Sequence, residues 1–188
     1  ILQLAHEPPS HIVAPAVHKS KEQVAELFVQ AHGKPRLTEI PAMTREAREA
    51  LRGHFLTADM GISGTNFVIA ETGTTLTVTN EGNADMVATI PRIHVVITGI
   101  EKVIGTLEDF ATLIRLLPRS AIGQSITNYL TLTTGLKMPG EADGPEQMHI
   151  VLVDAGRTKL VGSDLQEMLR CIRCGACMNH CPVYQNIG

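Results

Sequence analysis

The sequence predicts an α/β fold: a layered domain over residues 1–162, followed by a short cysteine-bearing module over 163–188. Three observations predict it. Segments with helical apolar spacing alternate along the chain with short β-branched runs, the order that builds sheets covered by helices. Aromatic residues are only 3%, with no tryptophan, among 44% hydrophobic residues. The core must then be Val, Ile, Leu, Ala and Met, side chains that suit buried strands. The composition changes at about Ser163, and all 4 cysteines follow it.

The elements follow in order. "HIVAPAVHKSKEQVAELFVQ" reads as a short buried strand, a turn and a helix. Ser20 with Gln23 matches a capping box, and Val24, Leu27 and Phe28 form the apolar stripe. A second helix is expected from Thr44 to about Ala58, where Ala47, Leu51, Phe55 and Ala58 recur at helical spacing. "FVIA" and "TLTVT" flank Glu71-Thr72-Gly73 as a hairpin, and Leu76 and Val78 alternate with threonines as in a half-buried strand. "RIHVVITGI" is the next strand. Thr106 and Asp109 cap a helix that Pro118 is expected to end after Leu117. Residues 119–147 are polar and carry few signals. "MHIVLVDAG" is the last strand, and Ser163 with Gln166 is expected to cap a helix from Asp164 to Arg170 that leads into Cys171.

Composition excludes some functions. Lys plus Arg number 16 against 19 Asp plus Glu, a formal charge of −3, so the basic face that phosphate binding needs is not evident and nucleic acid is not an expected partner. No apolar run approaches the roughly 20 residues of a membrane helix. No secretory signal opens the sequence, and a cytoplasmic protein is expected.

The chemistry is concentrated in "CIRCGACMNHCP", spaced Cys171-x2-Cys174-x2-Cys177-x3-Cys181-Pro182. This is the bacterial ferredoxin spacing, in which the fourth cysteine ligates the other cluster of a two-cluster protein. Successive three-residue steps let one short loop present three thiolates to one cubane. Gly175 and Ala176 leave room for backbone N–H groups to approach the sulfides, and Pro182 turns the chain away. With Cys181 assigned elsewhere, the first cluster lacks a ligand within this sequence, so partner cysteines are expected beyond Gly188. Three other readings stand beside it. A zinc site prefers two cysteine pairs on separate arms. Disulfides belong to oxidising compartments. Thiols left unligated in this stretch of chain are the third. Arg173 and His180 lie inside the run. Arg173 reads as a solvated charge, and His180 is not needed as a ligand.

Two polar stretches are further candidates. "GISGTNF", residues 61–67, is expected to follow a helix, either as the turn that stops it or as a backbone nest for an anion. In "AETGTTLTVTNEGN", Glu71, Thr72, Asn80 and Glu81, with Asn83, are expected at the ends of adjacent strands, where α/β domains bind ligands. Hairpin turns collect the same residue types. His94 reads as a packed strand histidine. His6, His11, His18, His32, His54 and His149 show no metal-ligand spacing. There is no G-x-G-x-x-G and no P-loop, so two-electron chemistry would need a flavin or nicotinamide from elsewhere.

Taken in order, "TNFVIAETGTTLTVTNEGN", "IEKVIGTLED", "LLPRSAIGQ", "GEADGPEQMHIVLVDAGR" and "LRCIRCGACMNHCPVYQNIG" resemble the LUD-domain iron–sulfur protein family over nearly the whole sequence. The resemblance implies a fold related to the CoA-transferase and ribose-phosphate-isomerase domains, followed by the start of a ferredoxin-type module. It implies more chain at both ends, with a second cysteine motif downstream. Cys171, Cys174, Cys177 and Cys181 match the family's cluster ligands, and two 4Fe–4S clusters are implied for the whole protein. It also implies a cytoplasmic subunit of a system oxidising L-lactate to pyruvate, working with other subunits and an electron donor or carrier. The leading expectation is electron transfer. A LUD domain that itself acts on a small carboxylate or a CoA- or nucleotide-like ligand is the alternative, and an iron–sulfur redox sensor is the second.

Overall fold

The structure is a computed structural model and describes residues 1–10, 14–79, 82–125, 127, 129–171 and 176–187. It divides into two compact units, Ile1–His54 and Phe55–Gly188. The first holds α1 (Leu2–Ala5), α2 (Lys21–His32) and most of α3 (Ile40–Thr57). The Ser20–Gln23 capping box forms at both of its bonds, and Gly33 closes α2 at φ 63. Ala25, Phe28 and Met43 form the core of this unit, with Val24, Leu37 and Ala47 against it.

Helix α3 begins four residues before the expected Thr44. The Thr44 hydroxyl donates back to the Ile40 carbonyl at 3.0 Å instead of capping the helix. Pro41 is tolerated because first-turn amides have no helical partner. The apolar stripe stops short of Leu51, which is 53% exposed. Buried Glu46 sits on the inner face, 2.6 Å from Nδ1 of His32. The expected strand before α2 involves His11, Ile12 and Val13, which lie outside the described residues.

The second unit has two sheets. One is three-stranded and parallel, in the order β1 (Met60–Ser63), β4 (Ile93–Gly99), β7 (Gln147–Val153). The other is mixed, in the order β5 (Val103–Ile104), β2 (Phe67–Ile69), β3 (Thr74–Thr79), β6 (Tyr129–Thr133). The hairpin expected at Glu71-Thr72-Gly73 is β2–β3, with Phe67 opposite Leu76 and Gly73 at φ 69. Strand β3 departs from half-burial at its start: Thr74, Thr75 and Leu76 are all buried. It lies between β2 and β6, and the threonine hydroxyls there are satisfied locally. Thr72, Thr74 and Thr134 form a chain of bonds at 2.6 and 2.7 Å.

Two further expectations are corrected. Pro118 does not end its helix: α5 (Leu107–Ile122) runs on to Gly123 at φ 71. Proline removes one i→i−4 bond and strains one turn, and burial of its ring in this position lets the helix continue. Residues 119–147 contain a strand, β6, which pairs with all but the first residue of β3. At the N-terminus of α5 the Thr106–Asp109 capping box is present as expected.

In the parallel sheet, in-register partners share a face. His94, Val96 and Thr98 of β4 are buried on one face, next to Gly61 of β1. The other face carries Met60, Ile62, Ile97, Val151 and Val153, all exposed. Gly61 allows close approach of α4 (Asn83–Thr89), because a Cβ there would overlap the Val87 carbonyl oxygen. "GISGTNF" is therefore a strand and a crossing, not the turn after a helix. Thr65 Oγ1 donates to the Leu76 carbonyl at 2.6 Å and accepts its N–H at 2.9 Å, stitching the crossing to β3.

Candidate functional site

The cysteine run is approached through two 3-10 turns, Arg157–Leu160 and Gln166–Arg170. The expected helix from Asp164 to Arg170 is thus shortened, and its capping box is absent. Gln166 Oε1 turns back to the Gly162 N–H at 2.9 Å, and Ser163 Oγ takes the Leu165 N–H at 3.2 Å. With Gln166 engaged on Gly162 and Ser163 on Leu165, neither bond of the expected capping box forms.

Cys171 ends the second turn, its N–H bonded to the Met168 carbonyl at 3.2 Å. Cys177 lies in α6 (Ala176–His180). Cys181 stands between α6 and α7 (Pro182–Ile187), its N–H on the Met178 carbonyl and its carbonyl taking the Gln185 N–H. Pro182 opens α7, where a missing N–H costs nothing. Cys171 and Cys177 are exposed, Cys181 is half-buried, and all three are free thiols. Cys174 and Gly175, with Ile172 and Arg173, lie outside the described residues.

Among the described residues no three His, Cys, Asp or Glu side chains are gathered to hold a metal ion. Accessible, soft thiol donors in one short segment nevertheless fit an iron–sulfur cluster by chemistry, since ligation and local folding are coupled at such sites.

The other predicted residues are placed as follows. Glu71 lies just past the C-terminal end of β2, and its Oε2 accepts the Leu107 N–H at 3.2 Å, at the positive end of the α5 dipole. Thr72 belongs to the same turn and borders an open groove of about 550 Å³, together with Gly73, Gly135 and the first half of β7. Asn80 and Glu81 lie outside the described residues. Thr79, the last described residue before them, ends β3 at the end of that strand away from the Glu71–Thr72 turn. The turn pair and the end of β3 are therefore separated by the length of that strand.

Two arrangements had little sequence signal. His94 is 2% exposed, with Nε2 at 2.8 Å from Ser63 Oγ across the β1–β4 pair. Burial pushes its imidazole below the usual histidine range. Its Nδ1 has no hydrogen-bond partner among the described residues.

At the C-terminal edge of the same sheet, Arg157 Nε lies 2.9 Å from Glu101 Oε2, with side chains 22% and 7% exposed. Gly99 makes space for this pair, since a Cβ there would overlap the Glu101 carboxylate. Beside them, bonds from the Thr158 N–H and hydroxyl hold the Asp154 carboxyl below the usual carboxylate range. The available signal was positional: both Glu101 and Arg157 follow directly on strands that read clearly.

Comparison with known proteins separates the two parts of the chain. The LUD domain matches residues 7–153, and the 4Fe-4S binding domain matches 167–184, a span that contains all four cysteines. The chain is 50% identical to lactate utilization protein B of Lysinibacillus sphaericus, over all of this chain and 40% of that protein. It is 48% identical to the protein of that name from Geobacillus thermodenitrificans and 47% to that from Bacillus subtilis, each over 100% of this chain and 40% of the relative. The chain thus spans about 40% of the length of the curated relatives it matches. Among solved structures, a DUF162 family protein from Deinococcus radiodurans is similar at a TM-score of 0.41 and 20% identity, over 71% of this chain and 84% of that one. With the LUD match running through both sheets of the second unit and the 4Fe-4S match following them, the chain belongs to the LUD-domain family and carries an iron–sulfur binding motif behind that domain.

Proposed function

We propose that this chain is part of an iron–sulfur electron-transfer subunit in a cytoplasmic system that oxidises L-lactate to pyruvate. The observation that carries the reading is the Cys171-x2-Cys174-x2-Cys177-x3-Cys181-Pro182 run inside the 167–184 match, directly behind a LUD domain. The names of the relatives supply the substrate.

A bound 4Fe–4S cluster takes up and releases one electron at a time. Cys171, Cys174 and Cys177 hold the first cluster, and Cys181 reaches the second. With almost no side chain at Gly175 and Ala176 in the sequence, backbone N–H groups would be able to approach a bound cluster's sulfides and stabilise added negative charge. Lactate gives up two electrons and two protons on becoming pyruvate. A flavin- or nicotinamide-bearing partner subunit accepts the pair, and this subunit passes the electrons singly to a carrier.

The test is low-temperature EPR with iron and sulfide analysis on the intact polypeptide purified without oxygen. Two interacting 4Fe–4S signals are expected. Iron-free protein with stoichiometric zinc would overturn the reading.

The groove beside Thr72 supports a second reading, in which the LUD domain itself holds a small carboxylate or nucleotide-like ligand. Saturable binding of lactate to the intact protein, weakened by Thr72→Ala, separates it from the first.

A further inference from the structure

The segment joining the LUD match to the 4Fe-4S match is built as a strut. Backbone bonds follow one another along it. Arg157 donates to Asp154, Lys159 to Gly156, Val161 to Thr158, Ser163 to Leu160, Gln166 to Ser163, Met168 to Leu165 and Cys171 to Met168, all between 3.0 and 3.3 Å. Side chains lock the joints. Asp154 takes both bonds of Thr158, Gln166 takes the Gly162 N–H, and Ser163 Oγ donates to the Leu160 carbonyl at 2.8 Å. All of these bonds are local, and no residue of 154–171 is buried, so the segment's order depends on where it is anchored.

The strut is fastened at its first turn. Arg157 meets Glu101 in the turn after β4, the neighbour of β7. Burying a carboxylate is costly even when it is paired, so such pairs contribute little net stability. This pair joins the turn after β4 to the turn after β7. The chain vacates space for this one by placing glycine at position 99.

We propose that the Glu101–Arg157 ion pair is a positioning device. It fastens the turn-built 154–171 segment to the C-terminal edge of the parallel sheet, and so sets where Cys171, the first cysteine of the run, stands relative to an electron donor docked on that domain. The consequence for electron transfer rests on the iron–sulfur reading above; the anchoring of the strut's first turn does not.

The experiment compares the intact polypeptide with Glu101→Gln, with Glu101→Asp and with the reciprocal pair Glu101→Arg/Arg157→Glu. Amide hydrogen exchange is read across 157–171, with β4 and β7 as internal controls. Glu101→Gln should speed exchange in 157–171 about ten-fold or more while leaving β4 and β7 unchanged. The reciprocal pair should restore most of the protection. Lactate-driven dye reduction by the assembled system should lose about five-fold or more in kcat at constant KM, with iron content and dithionite reduction unaltered.

Wild-type protection of 157–171 in Glu101→Gln overturns the proposal, as does loss of protection spread equally over β4 and β7. Should Glu101→Gln fail to fold, Glu101→Asp decides by the same exchange pattern. Absence of a cluster in the wild type would sink the electron-transfer reading alone, because the exchange result is independent of metal.

Discussion

Ser63 Oγ and His94 Nε2 lie 2.8 Å apart, joining the end of β1 to the buried start of β4. His94 is held neutral by burial, with its imidazole below the usual histidine range. As pH falls through the ordinary histidine value, the unfolded chain takes up a proton that the folded chain resists. Stability contributed by this residue is therefore present above that value and is lost on acidification. The thermal midpoint should drop between about pH 7 and 5. His94→Gln should flatten that dependence, at a cost of about 1–3 kcal/mol from imperfect packing and bonding. Midpoints across pH for both proteins check this; parallel slopes would refute it.

Gly61 and Gly99 should respond differently to the same added methyl. At Gly61 a Cβ meets backbone, the Val87 carbonyl, with the Pro91 ring behind it. Strand β1 and helix α4 must then separate, and Gly61→Ala should cost about 3 kcal/mol. At Gly99 the obstacle is the end of the Glu101 side chain. Gly99→Ala should displace that carboxylate and cost about 1 kcal/mol, with no further loss when combined with Glu101→Ala, which removes the obstructing atoms. Urea unfolding of the two single variants and the double variant measures both statements.

Glu71 should behave first as a helix-terminus partner. Its Oε2 takes the Leu107 N–H, beside the Thr106–Asp109 capping box. Glu71→Ala should destabilise by about 0.5–1 kcal/mol, with the difference shrinking in high salt. Thr106→Ala removes the cap itself and should cost about 1 kcal/mol. A salt-independent loss at Glu71 would argue against the dipole contact.

The cysteines should separate by cluster. In the ferredoxin arrangement the fourth cysteine belongs to the other centre. In the intact polypeptide, Cys171→Ser and Cys177→Ser should therefore abolish the same EPR signal, and Cys181→Ser the other one. Loss of one common signal in all three variants would place Cys181 on the first cluster instead.

Much of the architecture was legible because it is written in local patterns. The capping boxes at Ser20 and Thr106 need only residues three apart, and the β2–β3 hairpin needs only a glycine-containing turn between β-branched runs. Strands β4 and β7 read as apolar, β-branched runs, although one face of β4 alone is buried and β7 is largely exposed. Where local and tertiary forces compete, local signals misled. Pro118 marks a helix end in isolation, yet the packed ring sits within α5. Thr44 reads as a helix start, but its hydroxyl bonds back into a helix that had already begun. Strand β6, YLTLT, carries the same alternation as β3, but the polar stretch around it hides the signal, and pairing with β3 fixes it.

The same division holds for the chemistry. Sequence alone determined the cysteine spacing, since cluster ligation is set by a few residues of contiguous chain. It also carried the alternation of helices and strands, because each element's period is local. Only the tertiary structure decided that Glu101 and Arg157 meet, that His94 is buried against Ser63, and that Glu71 and Thr79 lie toward opposite ends of strand β3. Those relations depend on which strands pair and in which direction, and pairing free energy is shared among residues far apart in the chain.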